Sequence, residues 1–245
     1  MNNFEGSRNL TQQVVYELGL SIVQGKYSGV DVFPTEAQLS AHFQISRSVI
    51  REAVKMLTAK GLINSRPRQG IRVQPTACWN VFDSDVLNWI LQGRPSLSLL
   101  QEFTELRSGV EPEAAMLAAS RQNAAEIGAI ERGLERLKRA GDGLDDPLAA
   151  DIEFHTAVLL ASGNRFYIQL TSFIQTALQA SISCTNQLKG ISAGSYRDHK
   201  RIYDAICEGN SEAAGAAMRE LLSEALGLIS ESNSPQKTGV IAQAS

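Results

Sequence analysis

The sequence predicts a mainly α-helical protein, with an N-terminal winged helix-turn-helix domain and a C-terminal all-helical antiparallel bundle. Three observations point there. Residues 1–75 show short helical stripes and two short strand-like segments, whereas beyond Asp83 the apolar spacing is helical with almost no period-two alternation. The charge divides at the same place: residues 1–75 hold nine Lys/Arg against five Asp/Glu, a net +4, and the remainder carries −7. A length of 245 residues suits two modest domains or one large one.

In the first domain, Val14, Val15, Leu18, Ile22 and Val23 follow helical spacing, and Gly25 ends a first helix. Thr35 is placed to cap a short second helix carrying Leu39 and Phe43. Ser46 restarts the pattern as the cap of a third, with Val49, Ile50, Val54, Leu57 and Thr58 as its buried stripe and Gly61 as its end. The tight connection at Gln44-Ile45 makes the second and third helices a helix-turn-helix. Residues 62–65 and 70–73 then read as two strands flanking Arg66-Pro67-Arg68-Gln69, a wing.

This order explains where the cations sit. Between Arg47 and Arg72 seven cations face only Glu52, a density that suits a polyanion or, with no partner, a solvated basic face. Arg47, Ser48 and Arg51 lie near the start of the third helix and away from its apolar stripe, where a recognition helix meets major-groove base edges. Arg66 and Arg68 at the wing tip would reach phosphates or the minor groove, and Gly70 would allow close backbone approach. Taken together these placements favour DNA.

Beyond the first domain, residues 76–95 read as a linker and a short helix, 96–232 as a helical domain, and 233–245 as a disordered tail. Ser96 caps a long helix in which Pro112 is expected to force a break or kink near Gly109. Further helices are expected over about 123–140, 145–162, 165–189, 195–208 and 211–230.

Asp151 and His155 stand i,i+4 on one helix face, a spacing that serves either an intrahelical hydrogen bond or a shared cation. The chain has three histidines, and His199 also falls in a helix of the acidic domain flanked by apolar residues. Two imidazoles and a carboxylate suit Zn, Ni or another borderline divalent ion and leave positions for water or a chelating ligand. Arg107 and Glu111 form a second i,i+4 pair, either a helix salt bridge or an inward Arg able to clamp a carboxylate.

Composition excludes much else. With 43% apolar and 20% charged residues the chain is an ordinary globular one. No apolar run approaches about 18 residues, and the polar start lacks a secretion-signal pattern, so a cytoplasmic protein without membrane contact is expected. Cys78, Cys184 and Cys207 are too scattered for a disulfide framework and are expected to be buried thiols.

The string Phe33-Pro34-Thr35-Glu36, Leu39, Ile45-Ser46-Arg47, Val49-Ile50-Arg51-Glu52-Ala53, Leu57, Gly61-Leu62-Ile63 and Gly70-Ile71-Arg72-Val73 closely resembles the DNA-binding domain of GntR-type bacterial transcription regulators. The resemblance implies operator contacts from Ser46, Arg47, Ser48, Arg51, Gln69 and Gly70. Ala37 and Gln38 depart from it, standing where members often carry Arg or Lys. In the second half, Glu105-Leu106-Arg107 with Glu111, Asp151 to His155, Leu159 to Asn164 and Asp198 to Ile206 resemble the helical FCD effector domain of the FadR-like subgroup. Metal-binding members hold an ion through an Asp and up to three His, with a ligand carboxylate completing the shell. Carried over, Asp151, His155 and His199 match metal positions, while Leu221 stands where a third His is usual. A ligand oxygen must then fill the vacancy, or metal affinity falls.

Asn80, Asp83, Asp85-Val86-Leu87, Trp89 and Val110-Glu111-Pro112 make the chain look most similar to sugar-acid responsive members. An aldonate's carboxylate and adjacent hydroxyl can chelate a metal while Arg107 pairs the charge, with Asn164 and Tyr196 as further effector contacts. Thr185, Asn186, Gln187 and Ser195 are candidates for the remaining hydroxyls. The expected function is a homodimeric, ligand-released repressor reading an inverted repeat of operator DNA. The alternatives are a regulator answering to an acyl compound or dicarboxylate without metal, and a metal-dependent enzyme fused to a DNA-binding module. No enzyme is expected, because the site lacks a general base besides its ligands and no nucleophile motif such as G-x-S-x-G occurs.

Overall fold

The structure, a computed structural model, describes residues 10–27, 33–66, 69–92, 96–189 and 195–233, without the side chains of 182–189 and 233. Arg68, Gly93-Arg94-Pro95, the Cys184 thiol, the side chains of Thr185, Asn186 and Gln187, Gly190 and the tail from 234 lie outside the described residues. The chain divides into two units, Met1–Arg94 and Pro95–Ser245.

The first unit comprises α1 (Leu10–Val23), α2 (Glu36–Phe43), α3 (Arg47–Ala59), β1 (Ile63–Arg66), β2 (Gly70–Val73), a 3-10 turn at Thr76–Cys78 and α4 (Ser84–Leu91). Its boundaries follow from capping chemistry. Thr35 Oγ1 accepts from Gln38 N while the Gln38 side chain accepts from Thr35 N, a reciprocal capping box at the start of α2. Ser46 Oγ accepts from Val49 N and starts α3. The strands pair antiparallel from Ile63 opposite Val73 to Arg66 opposite Gly70. Leu18, Leu39, Ile50, Ile63, Ile71 and Trp89, one from each helix and strand, meet in a single core. Ala53 lies in the buried stripe of α3, whereas Thr58, expected there, is exposed and returns its hydroxyl to Val54 O.

The end of α3 is tied to the start of α4. Gly61 adopts φ +75°, and a Cβ there would overlap the Cys78 carbonyl oxygen, so only glycine lets the chain turn this closely. Lys60, the C-cap of α3, donates to both Asp83 carboxylate oxygens at 2.7 and 2.8 Å and to Asp85 at 2.9 Å. Asp83 at the same time caps α4 by accepting from Asp85 N and Val86 N. Burial opposes the Lys60 charge, but the two aspartates outweigh it and raise its pKa. The raised value means that this stabilisation is full below the ordinary lysine pKa, about 10.4, and fades only as pH climbs through the elevated one. Lys60→Met is expected to cost the first unit about 1–2 kcal/mol at neutral pH, measured by denaturant unfolding.

The second unit is a bundle of α5 (Leu97–Arg121), α6 (Ala124–Gly141), α7 (Pro147–Ala161), α8 (Arg165–Gln169), α9 (Thr171–Lys189), α10 (Tyr196–Cys207) and α11 (Ser211–Asn233). Phe103, Leu137, Phe154, Leu178, Ile202 and Met218 are among its buried residues. Three further expectations are corrected. Helix α5 runs unbroken through Pro112, which is itself buried, so the expected break near Gly109 does not occur. The predicted helix over 165–189 is two helices, separated at Leu170, whose N–H is shared between Phe166 and Tyr167 carbonyls. Cys78 and Cys207 are exposed, not buried, because one lies in the 3-10 turn and the other closes α10 at the surface. No helix among the described residues is long and apolar enough to cross a membrane.

Candidate functional site

On the first unit, Ser46, Arg47, Ser48 and Arg51 all lie exposed at the beginning of α3, and Arg66, Gln69 and Gly70 lie exposed at the hairpin end. Burial of Ile50, Ala53, Val54 and Leu57 on the opposite face of α3 turns these polar positions outward. Ser46 Oγ and Ser48 Oγ are 2.8 Å apart, and Arg51 Nε reaches Glu36 at 3.4 Å, a surface pair that constrains Arg51 weakly. Gly70 has φ +74° and nothing within 4 Å of a would-be Cβ, so its backbone faces open space.

In the second unit, α5 supplies Arg107 and Glu111, α7 supplies Asp151 and His155, and α10 supplies His199, all buried. Helices α6 and α7 approach closely because Gly133 faces the Phe154 backbone, where a Cβ would lie 2.9 Å from Cα. Phe154 packs edge-on against the His199 ring at 4.8 Å between centroids and fixes its plane.

The hydrogen bonds at the far side of each imidazole decide its tautomer. His199 Nδ1 lies 2.8 Å from Ser195 O, a carbonyl that only accepts, so the proton is on Nδ1 and Nε2 carries a lone pair. His155 Nδ1 lies 2.8 Å from Glu111 Oε2 and donates to it. Glu111 is ionised: burial works against its charge, but Arg107 and His155 hold its pKa at about 2. Both Nε2 atoms then face Asp151 Oδ1, at 3.1 Å from His155 and 3.3 Å from His199. Although these contacts are short, neither Asp151 Oδ1 nor His199 Nε2 has an aligned hydrogen-bond partner among the described residues. One ligand atom from each of the three residues lies within 4.8 Å of the others. Electron-rich atoms crowded in a dry site, and not aimed at one another, fit a cation between them.

The same acids that would draw a cation also favour a proton on His155, which an ion binding there would have to displace. Burial pushes the Asp151 carboxyl up, yet the two imidazoles hold it well below the usual carboxylate range. Burial likewise opposes charge on His155, and Glu111 more than offsets it, so its pKa is raised. Arg107, expected to present its fork to a ligand, has that fork engaged: Nε donates to Glu111 Oε1 at 2.6 Å and Nη2 to Oε2 at 3.2 Å. Nη2 also lies 3.3–3.4 Å from both ring nitrogens of His155. The roles of Glu111 toward His155 and of the Ser195 carbonyl toward His199 were not in the sequence reading. The signal for Glu111 was its position in register with Phe103, Arg107, Ala114 and Ala118 on the buried side of α5.

The remaining expected effector residues stand apart from this cluster's bonding. Asn164 is half-buried and its Oδ1 caps α8 by accepting from Phe166 N. Tyr196 is half-buried at the first position of α10. Leu221 is half-buried on α11 and brings no donor atom, while Met218 is fully buried beside it.

A helix-turn-helix with a polar outward face is a form in which DNA-binding proteins present a helix to the duplex. Comparison with known proteins fixes the family. Residues 10–73 match the model described as bacterial regulatory proteins, gntR family, and residues 102–224 match the FCD domain. The chain is 34% identical over 212 residues to the galactonate operon transcriptional repressor of Escherichia coli, covering 85% of this chain and 92% of that one. It is 28% identical to the HTH-type transcriptional regulator LutR of Bacillus subtilis over 80% of this chain and 90% of that one. The solved structure of Lar, which controls expression of the Listeria monocytogenes agr system, has the same fold at a TM-score of 0.57 and 18% identity, over 93% of this chain and 99% of that one. The chain therefore belongs to the GntR family of transcription regulators, with an FCD domain, and is not an enzyme.

Proposed function

We propose that this regulator is a homodimeric repressor of a sugar-acid catabolic operon, released from an inverted-repeat operator when the acid binds beside a divalent ion, zinc or nickel, held by Asp151, His155 and His199. The observation that carries the metal half is the pair of imidazoles whose Nδ1 atoms are committed elsewhere, leaving two lone pairs beside an unpartnered carboxylate oxygen. A bound ion would supply Lewis acidity, and three protein ligands would leave it open positions for water or an acid's oxygens. An aldonate offers a carboxylate and a neighbouring hydroxyl to such positions. Similarity to the galactonate operon repressor supports the choice of acid.

In this reading Arg47 and Arg51 read bases from the start of α3, with Ser46 and Ser48 on the adjacent backbone. Arg66, Arg68, Gln69 and Gly70 hold phosphates or the minor groove, and the protein works in the cytoplasm with the chromosome. Release requires that the acid bind one conformation of the regulator better than another; equal affinity would shift nothing. Arg66→Ala is expected to weaken all duplexes about equally and to lower the salt slope of binding by about one, measured by titration at several salt concentrations.

Metal analysis of the purified protein, followed by thermal shift with aldonates, uronates, dicarboxylates and acyl thioesters, tests the proposal. Bound zinc or nickel together with an aldonate that also releases operator DNA is the expected result. A metal-free protein stabilised by an acyl thioester overturns it.

A further inference from the structure

The buried cluster has a charge count that the acid must satisfy. Arg107 is the one buried cationic side chain among the described residues, and both of its bonded nitrogens go to Glu111. The positive charge expected to meet a ligand is thus already matched inside the protein. With both imidazoles neutral, Arg107, Glu111 and Asp151 sum to one negative charge. A divalent cation turns this into one positive charge, and a single carboxylate then closes the site at neutrality. A second carboxylate in the same dry space would have no counter-charge, the situation in which buried charge is most costly.

We infer that Glu111 sets the charge capacity of the effector site, so that the metal-loaded regulator accepts a singly charged hydroxy acid and rejects the dicarboxylate of the same skeleton. Glu111 achieves this as a positioning residue. Its carboxylate holds the Arg107 fork along one side and takes the His155 Nδ1 proton on the other, with bonds of 2.6 and 3.2 Å to Arg107 and 2.8 Å to His155. Metal geometry and anion count are therefore governed by one side chain. The inference rests on the proposed metal site and goes further by naming which charge class of acid enters it.

Matched sugar acids provide the test. Galactonate and galactarate share a carbon skeleton, and galactarate differs in having a second terminal carboxylate in place of the primary alcohol. Calorimetric titration of the zinc-loaded full-length protein is expected to show galactonate bound more than about 100-fold tighter than galactarate, with the same ordering for gluconate over glucarate. Glu111→Gln removes one negative charge and is expected to narrow or invert that ratio. Glu111→Asp keeps the charge and is expected to preserve the ratio while weakening zinc about 10- to 100-fold, as loss of a well-placed histidine partner does. Should Glu111→Gln fail to fold, Arg107→Gln reports the same count from the other side, with galactonate affinity falling toward that of galactarate. A wild-type protein that binds galactarate as tightly as galactonate, or a folded Glu111→Gln protein with an unchanged ratio, overturns the inference while leaving the metal site standing. A wild-type protein that takes up no zinc overturns both.

Discussion

His155→Ala is expected to lower zinc affinity by more than about 100-fold and to abolish release of the operator by the effector, while affinity for DNA without effector stays within about twofold of wild type. The reasons are geometric. His155 presents one of two Nε2 lone pairs beside Asp151 Oδ1, and His199 is the second unit's only other histidine. DNA affinity is spared because every residue assigned to DNA lies in the first unit. Metal content of the purified variant and gel-shift titration with and without galactonate measure the two halves separately. A variant that keeps its zinc and remains fully inducible would remove the metal from the mechanism.

Arg47→Ala and Arg51→Ala are each expected to cost about 1–3 kcal/mol of operator affinity and, more tellingly, to flatten discrimination among operator variants. A guanidinium can donate two parallel hydrogen bonds to guanine, so its loss is felt at one base position rather than uniformly. Both side chains are exposed on the outward face of α3, and the Glu36 partner of Arg51 is a weak surface contact that a base edge can displace. Competition binding against a library of single-base operator variants reads this directly. An unchanged preference profile for Arg47→Ala would move the recognition surface elsewhere.

Local chemistry made the first unit readable. Thr35 and Ser46 start helices by their own side chains, and the stripe Ile50, Val54 and Leu57 needs only the 3.6-residue period to be seen. Pro112 predicts a break from its missing N–H, but α5 stays continuous through it. Elsewhere the deciding interaction was distant in the chain. The Asp151/His155 pairing was visible from spacing, and His199 was singled out by its rarity and apolar flanks. What spacing could not reveal is that Glu111, 44 positions before His155, sets that ring's proton, or that a backbone carbonyl sets the other. Arg107 shows the same limit: an i,i+4 acid is legible, but whether the pair lies in water or in a core is a property of the packed bundle.

The ammonium of Lys60 joins the last turn of α3 to the first turn of α4, with Gly61 and the Cys78 carbonyl pressed together beneath it. The two helices are thereby coupled end to end within the first unit, and Lys60→Met would loosen that coupling.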